Sequence, residues 1–194
     1  MTASLRILNV LDWTVSTVRF FKSHLPVILG LGLVAAFGRA VQLNALGPIS
    51  PISHTLLEIV IEGARIFLFF YTLGLTKAKN GVIRLSRLVV SKEGRMQNWR
   101  VAIRKLRDRW PALLANMVAF LIIALLINLF INHIAYETCL LIALKARQII
   151  SAQSSEWVLI LFFKNLSVIP FTLIFNALFL LWLVNRLPRS VAFH

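Results

Sequence analysis

Long stretches of predominantly apolar residues constrain this chain more than any other feature of its sequence. The purest covers residues 111–134 and includes a run, residues 117–127, without a polar side chain. A helix of about 20 apolar residues crosses the hydrocarbon core of a bilayer, and in lipid it satisfies its own backbone hydrogen bonds. We therefore predict an all-α integral membrane protein, a single membrane domain over residues 1–194. The predicted transmembrane helices are residues 25–45, 55–75, 111–134 and 157–185.

The amino-acid composition excludes the main alternatives to a membrane protein. Hydrophobic residues make up 59% of the chain and charged residues 14%, whereas a soluble domain has about 25% charged residues. Such an excess of apolar side chains also argues against a disordered chain. A single cysteine, Cys139, excludes a disulfide framework and a cysteine-built zinc site.

The distribution of basic residues predicts the orientation of the chain. Twenty-one Lys and Arg stand against 7 Asp and Glu, which gives a net charge of +14. Residues 76–110, the predicted loop between the second and third spans, contain eleven of these cations, whereas residues 46–54 contain none. Because Lys and Arg are retained on the cytoplasmic side during insertion, we predict that both termini are cytoplasmic. We place the protein in a bacterial inner membrane, with an organellar inner membrane or a thylakoid as alternatives.

Three amphipathic segments are predicted to lie in the membrane interface. They are residues 1–24, a helix within the basic loop with Met96, Trp99 and Ile103 on its apolar stripe, and an outer helix at residues 136–153. The five Trp side chains are predicted at the same level. The expected partner is anionic lipid, which attracts each nearby cation by about 1 kcal/mol. The predicted lipid-surface contacts are Arg84, Arg87, Arg100, Arg104, Lys105 and Arg107.

Two corresponding landmarks suggest an internal repeat. Trp13 precedes Pro26, and Trp99 precedes Pro111, at nearly the same spacing, with basic residues between and a predicted span after each proline. Each unit would contain one interfacial helix and two spans, which is a possible 2+2 parallel repeat. The alternative is that membrane proteins place Trp, Lys and Pro at span starts for common physical reasons.

Four ionisable residues fall within the first two predicted spans. Arg39 lies in the first span, and Glu58, Glu62 and Arg65 lie in the second, where spacings of four and three place them on one helical face. At 1.5 Å per residue, Arg39 and the two glutamates reach overlapping depths. Because charges inside a membrane are costly unless they are paired, we predict an ion-pair cluster between these two helices.

This predicted cluster has a structural and a functional interpretation. As a structural latch, it is neutral and fixes the register of the helical hairpin. As a functional site, the paired glutamates hold an ion, a proton or a substrate, since two carboxylates on one face can share a proton. A contact to another subunit is the third possibility.

A second polar site is predicted in the fourth span. Lys164 and Asn165 precede Pro170, so we expect either a kinked helix or a short segment followed by a full span from about Val168. Lys164 either extends to the outer interface or contacts a substrate, and we favour the interface. Asn116 and Asn128 are among the asparagines that could bond between helices.

Sequence motifs for catalysis are missing. No stretch has the spacing of a metalloprotease, a phosphate-binding glycine loop or a nucleophile elbow, so we predict neither a catalytic site nor a metal site. A haem or chlorin held by His54 and His133 is the less favoured interpretation of two histidines near span ends. Nucleic acid is not an expected partner, because the basic residues alternate with lipid-seeking apolar ones.

These features together predict a non-catalytic membrane protein rather than an enzyme. The leading hypothesis is a multi-pass subunit or assembly partner of a larger membrane complex, with bound lipids and no predicted cofactor. Its partners would be membrane lipids and either other membrane subunits or further copies of itself. The alternative is a small oligomeric transporter or channel that uses the Glu/Arg cluster.

Overall fold

The computed structural model describes residues 11–89 and 92–184, and every regular element in those ranges is an α-helix, which confirms the all-α prediction. Residues 1–10 of the first predicted interfacial helix, residue 185 of the fourth predicted span and the side chain of Arg87 lie outside the described residues. The helices are α1 (Asp12–Ser23), α2 (Leu25–Gln42), α3 (Pro51–Leu73), α4 (Ala78–Val89), α5 (Lys92–Asp108), α6 (Trp110–Glu137), α7 (Leu140–Ala146), α8 (Glu156–Leu166) and α9 (Val168–Leu183).

The chain divides into two compact units, and the single membrane domain that the sequence predicts stays a prediction. Among the described residues, unit 1 comprises 11–25, 67–89, 92–123 and 171–184, and unit 2 comprises 26–66 and 124–170. Helices α3 and α6 therefore each contribute one part to each unit.

Unit 1 is built around an aromatic core. Trp13 is fully buried against Phe175 and Trp182, with ring centroids 5.7 and 4.7 Å away. Met117 and Phe120 of α6 pack against the same cluster. Such tilted aromatic pairs add to the gain from burying the ring area. Trp13 and Trp182 are therefore core residues, whereas Trp99, Trp110 and Trp157 are exposed. The membrane depth predicted for the five Trp side chains stays a prediction.

The orientation of α1 also differs from the prediction. In an amphipathic helix at the interface, the polar positions Asp12, Ser16 and Arg19 are expected to share a solvent-facing side and Val15 to face the lipid. In the structure, Thr14, Ser16 and Thr17 are buried while Val15 is only half-buried. The hydroxyls of Ser16 and Thr17 donate to backbone carbonyls four residues earlier in their own helix, each at 2.7 Å. Because these hydroxyls are satisfied inside the helix, their burial leaves no hydrogen-bonding group unpaired.

Unit 2 has an aliphatic core with close helix contacts. Ile131 of α6, Leu141 of α7 and Ile160 of α8 form one buried group of this core. Helices α2 and α3 approach closely at Gly38, where a Cβ atom would lie 2.8 Å from Cγ1 of Ile61. A Cβ atom at this position would force the Ile61 side chain to shift, so the crossing favours glycine. Gly38 belongs with Gly30, Gly32 and Ala36 to a strip of small residues in the first predicted span, a pattern that favours close helix packing.

Three helical segments are long and apolar enough to cross a membrane: α2, α6, and the pair α8–α9 over Glu156–Leu183. Helix α3 is 23 residues long, but it carries Glu58, Glu62 and Arg65. Length and composition thus mark three candidate spans rather than the four that we predicted, and the difference is α3 with its three ionisable side chains.

The fourth predicted span is two helices. It breaks at Ser167, where φ is −128° and ψ is −77°, and α9 begins at Val168. Pro170 lies in the first turn of α9, where a missing N–H removes no helical hydrogen bond.

The predicted outer helix at residues 136–153 is much shorter in the structure. Helix α6 continues to Glu137, and α7 covers only Leu140–Ala146. Gln148 adopts a left-handed φ of 54°, and the backbone N–H groups of Gln148 and Ile149 donate to the backbone carbonyls of Lys145 and Leu144. These hydrogen bonds satisfy carbonyls in the last turn of α7 and end the helix.

Candidate functional site

The candidate site is the group of ionisable side chains on α2 and α3 in unit 2. Arg39 of α2 makes a two-point contact with the Glu58 carboxylate, with Nη1 and Nη2 donating at 2.9 and 3.2 Å. Gln42 lies one turn beyond Arg39 and donates to Glu58 from Nε2 at 2.9 Å. The Oε1 atom of Gln42 accepts a hydrogen bond from Nη1 of Arg39 at 2.8 Å. The Arg–carboxylate fork is one of the strongest charge-assisted contacts in proteins.

Glu62 joins the two arginines. Its Oε1 accepts a hydrogen bond from Nη1 of Arg65, three residues along α3, and lies 3.8 Å from Nη2 of Arg39. The structure thus brings together all four ionisable residues that the sequence placed in the first two spans. Two cations and two carboxylates make this group electrically neutral. Together with two amide side chains that bind to it, it forms what we call the polar cluster: Arg39, Gln42, Glu58, Glu62, Arg65 and Asn165.

Asn165 belongs to this same cluster, although the sequence placed it in a separate site. Nη2 of Arg65 donates to Oδ1 of Asn165 at 2.8 Å, and Asn165 is almost fully buried. The Asn165 amide group donates in turn to the Leu161 carbonyl at 2.7 Å within α8. The polar cluster therefore connects three helices, α2, α3 and α8, rather than a single hairpin.

Gly32 makes this three-helix arrangement possible. A Cβ atom at Gly32 would lie 3.0 Å from the backbone oxygen of Asn165 and 3.5 Å from Cα of Leu166. Helix α2 therefore runs close to the end of α8, beside the break at Ser167. The small-residue strip in α2 was a usable signal for close packing, but nothing in the sequence indicated that α8 was its partner.

Exposure is distributed unevenly within the polar cluster. The side chains of Arg39 and Arg65 are 21% and 20% exposed, whereas those of Glu58 and Glu62 are 42% and 45% exposed. The guanidinium groups are thus enclosed, and the carboxylates form the outer edge of the cluster. Because most donors are already bound inside the cluster, its arrangement favours a structural latch over an open binding site.

Lys164 lies next to Asn165 but stays outside the polar cluster. Its side chain is partly exposed, and no carboxylate of the described residues lies within salt-bridge distance of its ammonium group. The sequence treated Lys164 and Asn165 as one polar site, and the structure separates them.

A second charged group lies in unit 1, where α5 meets α1 and α9. Nζ of Lys105 donates to the Trp182 carbonyl at 2.6 Å and lies 4.2 Å from the centre of a Trp182 ring. The pKa of Lys105 is lowered to about 8, mainly by burial and also by the nearby Arg109, while Asp12 opposes the shift. Burial raises the pKa of Asp12, against the lowering effect of Arg109 and Lys105. The ammonium group of Lys105 thus lies at the end of α9, and the lipid contact that the sequence predicts for this residue stays a prediction.

The other predicted lipid contacts have mixed surroundings. Nη1 of Arg84 donates to the Leu73 carbonyl at 2.9 Å and so binds the end of α3. Arg100, Arg104 and Arg107 are exposed on α5. The apolar stripe of Met96, Trp99 and Ile103 is also exposed, at 62%, 66% and 49%. An exposed apolar stripe between exposed arginines is typical of a helix at a lipid surface.

Asn116 provides an interhelical contact in unit 1. Its Oδ1 accepts from the Thr14 backbone N–H at 3.0 Å and from the Thr14 hydroxyl at 2.8 Å. Thr14 lies in the first turn of α1, where backbone N–H groups have no helical acceptor, and Leu11 supplies no side-chain cap. Asn116 thus caps α1 from another helix.

The predicted alternative of a haem or chlorin rests on His54 and His133, and both are exposed in the structure. Among the described residues, no group of three or more His, Cys, Asp or Glu side chains is placed to hold a metal ion. Comparison with known protein families, with curated proteins and with solved structures finds no match to this chain.

Proposed function

We propose that this protein is a non-catalytic, multi-pass membrane subunit or assembly partner, in contact with anionic lipid and with neighbouring chains. The observation that carries the proposal is the surface of α6. This helix has 28 residues, and in its most apolar stretch of 18 residues only 11% are buried inside the protein. Leu121, Leu125 and Phe130 are each more than half exposed. A surface of this kind requires lipid or the helices of neighbouring chains.

We propose that α3 also crosses the membrane and that the polar cluster makes this crossing possible. An unpaired charge at mid-bilayer costs roughly 2.5–3.5 kcal/mol. In α3 each charge has an opposite charge within 4 Å, and the net charge of the polar cluster is zero.

Four crossings would place both termini on the side of the basic loop, on the cytoplasmic face. The 2+2 repeat agrees with the order of elements, since α1 and α5 each directly precede an apolar helix.

The polar cluster acts as a latch in this proposal. It ties α2, α3 and α8 of unit 2, and Gln42 and Asn165 complete its hydrogen bonds. A transport site would require these polar groups to exchange partners with a moving ion or substrate. Arg39 and Glu58 already form a two-point contact, which favours a fixed structure.

The experiment that tests the proposal is native mass spectrometry of the protein extracted from its own membrane in a mild detergent. We expect the chain to be found in a stable assembly with other membrane proteins or with further copies. A matched sample with Glu62→Gln should assemble less completely. A correctly assembled Glu62→Gln protein that has lost the ability to move an ion across proteoliposomes would reject the latch and favour the transporter.

A further inference from the structure

Lys164 is a cation of α8 without a counter-ion among the described residues. Lys164 lies in α8, eight residues after its first residue, Glu156. The described residues provide no carboxylate within salt-bridge distance of it. Because the polar cluster beside it is already neutral, the ammonium group leaves unit 2 with one uncompensated positive charge at the depth of that cluster.

One carboxylate oxygen in the same unit has no donor among the described residues. Glu62 contacts Arg65 and Arg39 through Oε1 alone, and no donor of the described residues lies within hydrogen-bonding distance of Oε2. The Glu62 side chain is 45% exposed. Its neighbours on the same face of α3, Ile59 and Ile66, are 64% and 54% exposed. A free carboxylate oxygen surrounded by apolar side chains requires a polar partner if α3 lies in lipid.

Lys164 and Glu62 lie at the same level of unit 2. Arg65 binds both Glu62 and Asn165, and Asn165 is the chain neighbour of Lys164. Copies that assemble around an axis perpendicular to the membrane lie at equal depth. The Lys164 of one copy therefore reaches the depth of Glu62 in the next copy, where opposite charges attract strongly.

We propose that the Glu62 face of α3 is an interface for a second copy of this chain, in which Lys164 of one copy binds Oε2 of Glu62 in its neighbour. The face also has a place for a closely packed helix, because Gly63 follows Glu62 and, apart from its own helix, no described residue lies within 4 Å of its Cβ position. The proposed contact joins two different residues, Glu62 of one copy and Lys164 of another. Two copies form a symmetric dimer if both residues lie on the same face of the chain, and several copies form a ring if they lie on different faces. The inference rests on the proposed function and specifies its partner.

The first experiment measures the oligomeric state in lipid nanodiscs or vesicles by single-molecule photobleaching. Lys164→Met removes the ammonium group without touching the polar cluster, and we expect at least a tenfold weaker association, about the effect of losing one enclosed charge pair. Gly63→Leu should weaken association as well, although the chain has room for the side chain. Lys145→Met is the matched control, because Lys145 lies in α7 of the same unit outside the proposed interface.

A charge exchange makes the test specific. Glu62→Lys alone should dissociate the assembly, and adding Lys164→Glu should restore it. Adding Lys145→Glu instead should not. Because Glu62→Lys also disturbs the bond to Arg65, a mixed-copy experiment serves as a second measurement. One copy with Glu62→Cys and one with Lys164→Cys, both in a Cys139→Ser background, should be joined by a short bis-maleimide.

Three results would overturn the inference. One is an assembly that Lys164→Met leaves unchanged, which would assign Lys164 to lipid headgroups. Another is a wild-type chain that remains monomeric in bilayers. The third is a native complex with a single copy of this chain among other proteins, a result that would still uphold the proposed function.

Discussion

Asparagines inside the helices of this protein have unequal roles, although each looks alike in the sequence. Asn116 accepts two hydrogen bonds from Thr14 on another helix. Asn128 donates only to Ala124 in its own helix, and its Oδ1 is buried without a partner among the described residues. The residue type therefore does not distinguish the two asparagines, and only the fold shows which of them joins two helices.

We expect Asn116→Leu to lower the free energy of unfolding by about 1–2 kcal/mol, because it leaves the buried Thr14 N–H without an acceptor. Asn128→Leu, the matched control, should cost less than about 0.5 kcal/mol or stabilise the protein, since it removes an unsatisfied oxygen. The measurement is the midpoint of unfolding in a mixed-detergent titration. Equal losses for the two variants would contradict the capping role of Asn116.

Lys105 gives a prediction about pH. Its pKa is lowered to about 8 in the folded protein and returns to its ordinary, higher value on unfolding. Between these two values the unfolded chain binds a proton that the folded chain has lost, so stability rises with pH. Relative to Lys105→Met, the wild type should therefore gain stability as the pH is raised above about 8.

The check is thermal unfolding of both proteins at a series of pH values, with the exposed Lys79 as the matched site. Replacing Lys79 by Met should leave the pH dependence of the wild type in place. A wild type that loses stability relative to Lys105→Met over the same range would contradict the lowered pKa.

At the scale of the helix, two glycines of the same helix lie in different surroundings. Gly30 and Gly38 occupy the same helix, α2. A Cβ atom at Gly38 meets Ile61 at 2.8 Å, and one at Gly30 meets nothing within 4 Å. The sequence shows both as small residues in one strip, whereas the packing gives them different roles.

We expect Gly38→Ala to destabilise unit 2 by about 1–3 kcal/mol, the usual cost of overpacking. Gly30→Ala should be neutral or stabilising by up to about 1 kcal/mol, because alanine favours a helix over glycine. Detergent unfolding of the two variants measures the difference. Combining Gly38→Ala with Ile61→Ala should cost less than the sum of the single changes, and full additivity would mean that the two helices do not meet there.

At the scale of the whole molecule, the number of membrane crossings depends on α3. If α3 crosses, residues 46 and 79, on either side of it, lie on opposite faces of the membrane. We expect Leu46→Cys in a Cys139→Ser background to react with an impermeant maleimide from outside. Lys79→Cys should react only after the membrane is opened, and labelling of both from one side would reject the crossing.

Several features of the protein were predictable from the sequence because they depend on neighbours along the chain. Helix formation and the apolar spans follow from local composition. The four ionisable residues of the polar cluster could be grouped because spacings of three and four place Glu58, Glu62 and Arg65 on one face. The reliable predictions therefore used the geometry of one or two helices.

Local composition and residue spacing were enough to predict an all-helical chain with apolar helices, a strongly basic loop and a group of paired charges. Three features emerged only from the packing of the helices: α1 buries its hydroxyls, Lys105 binds the end of α9, and Asn165 joins the polar cluster while Lys164 does not. They could not be predicted because burial and pairing depend on which distant helix lies opposite. A hydroxyl satisfied by its own helix can be buried as readily as an apolar group, so polarity along the chain does not identify the exposed face.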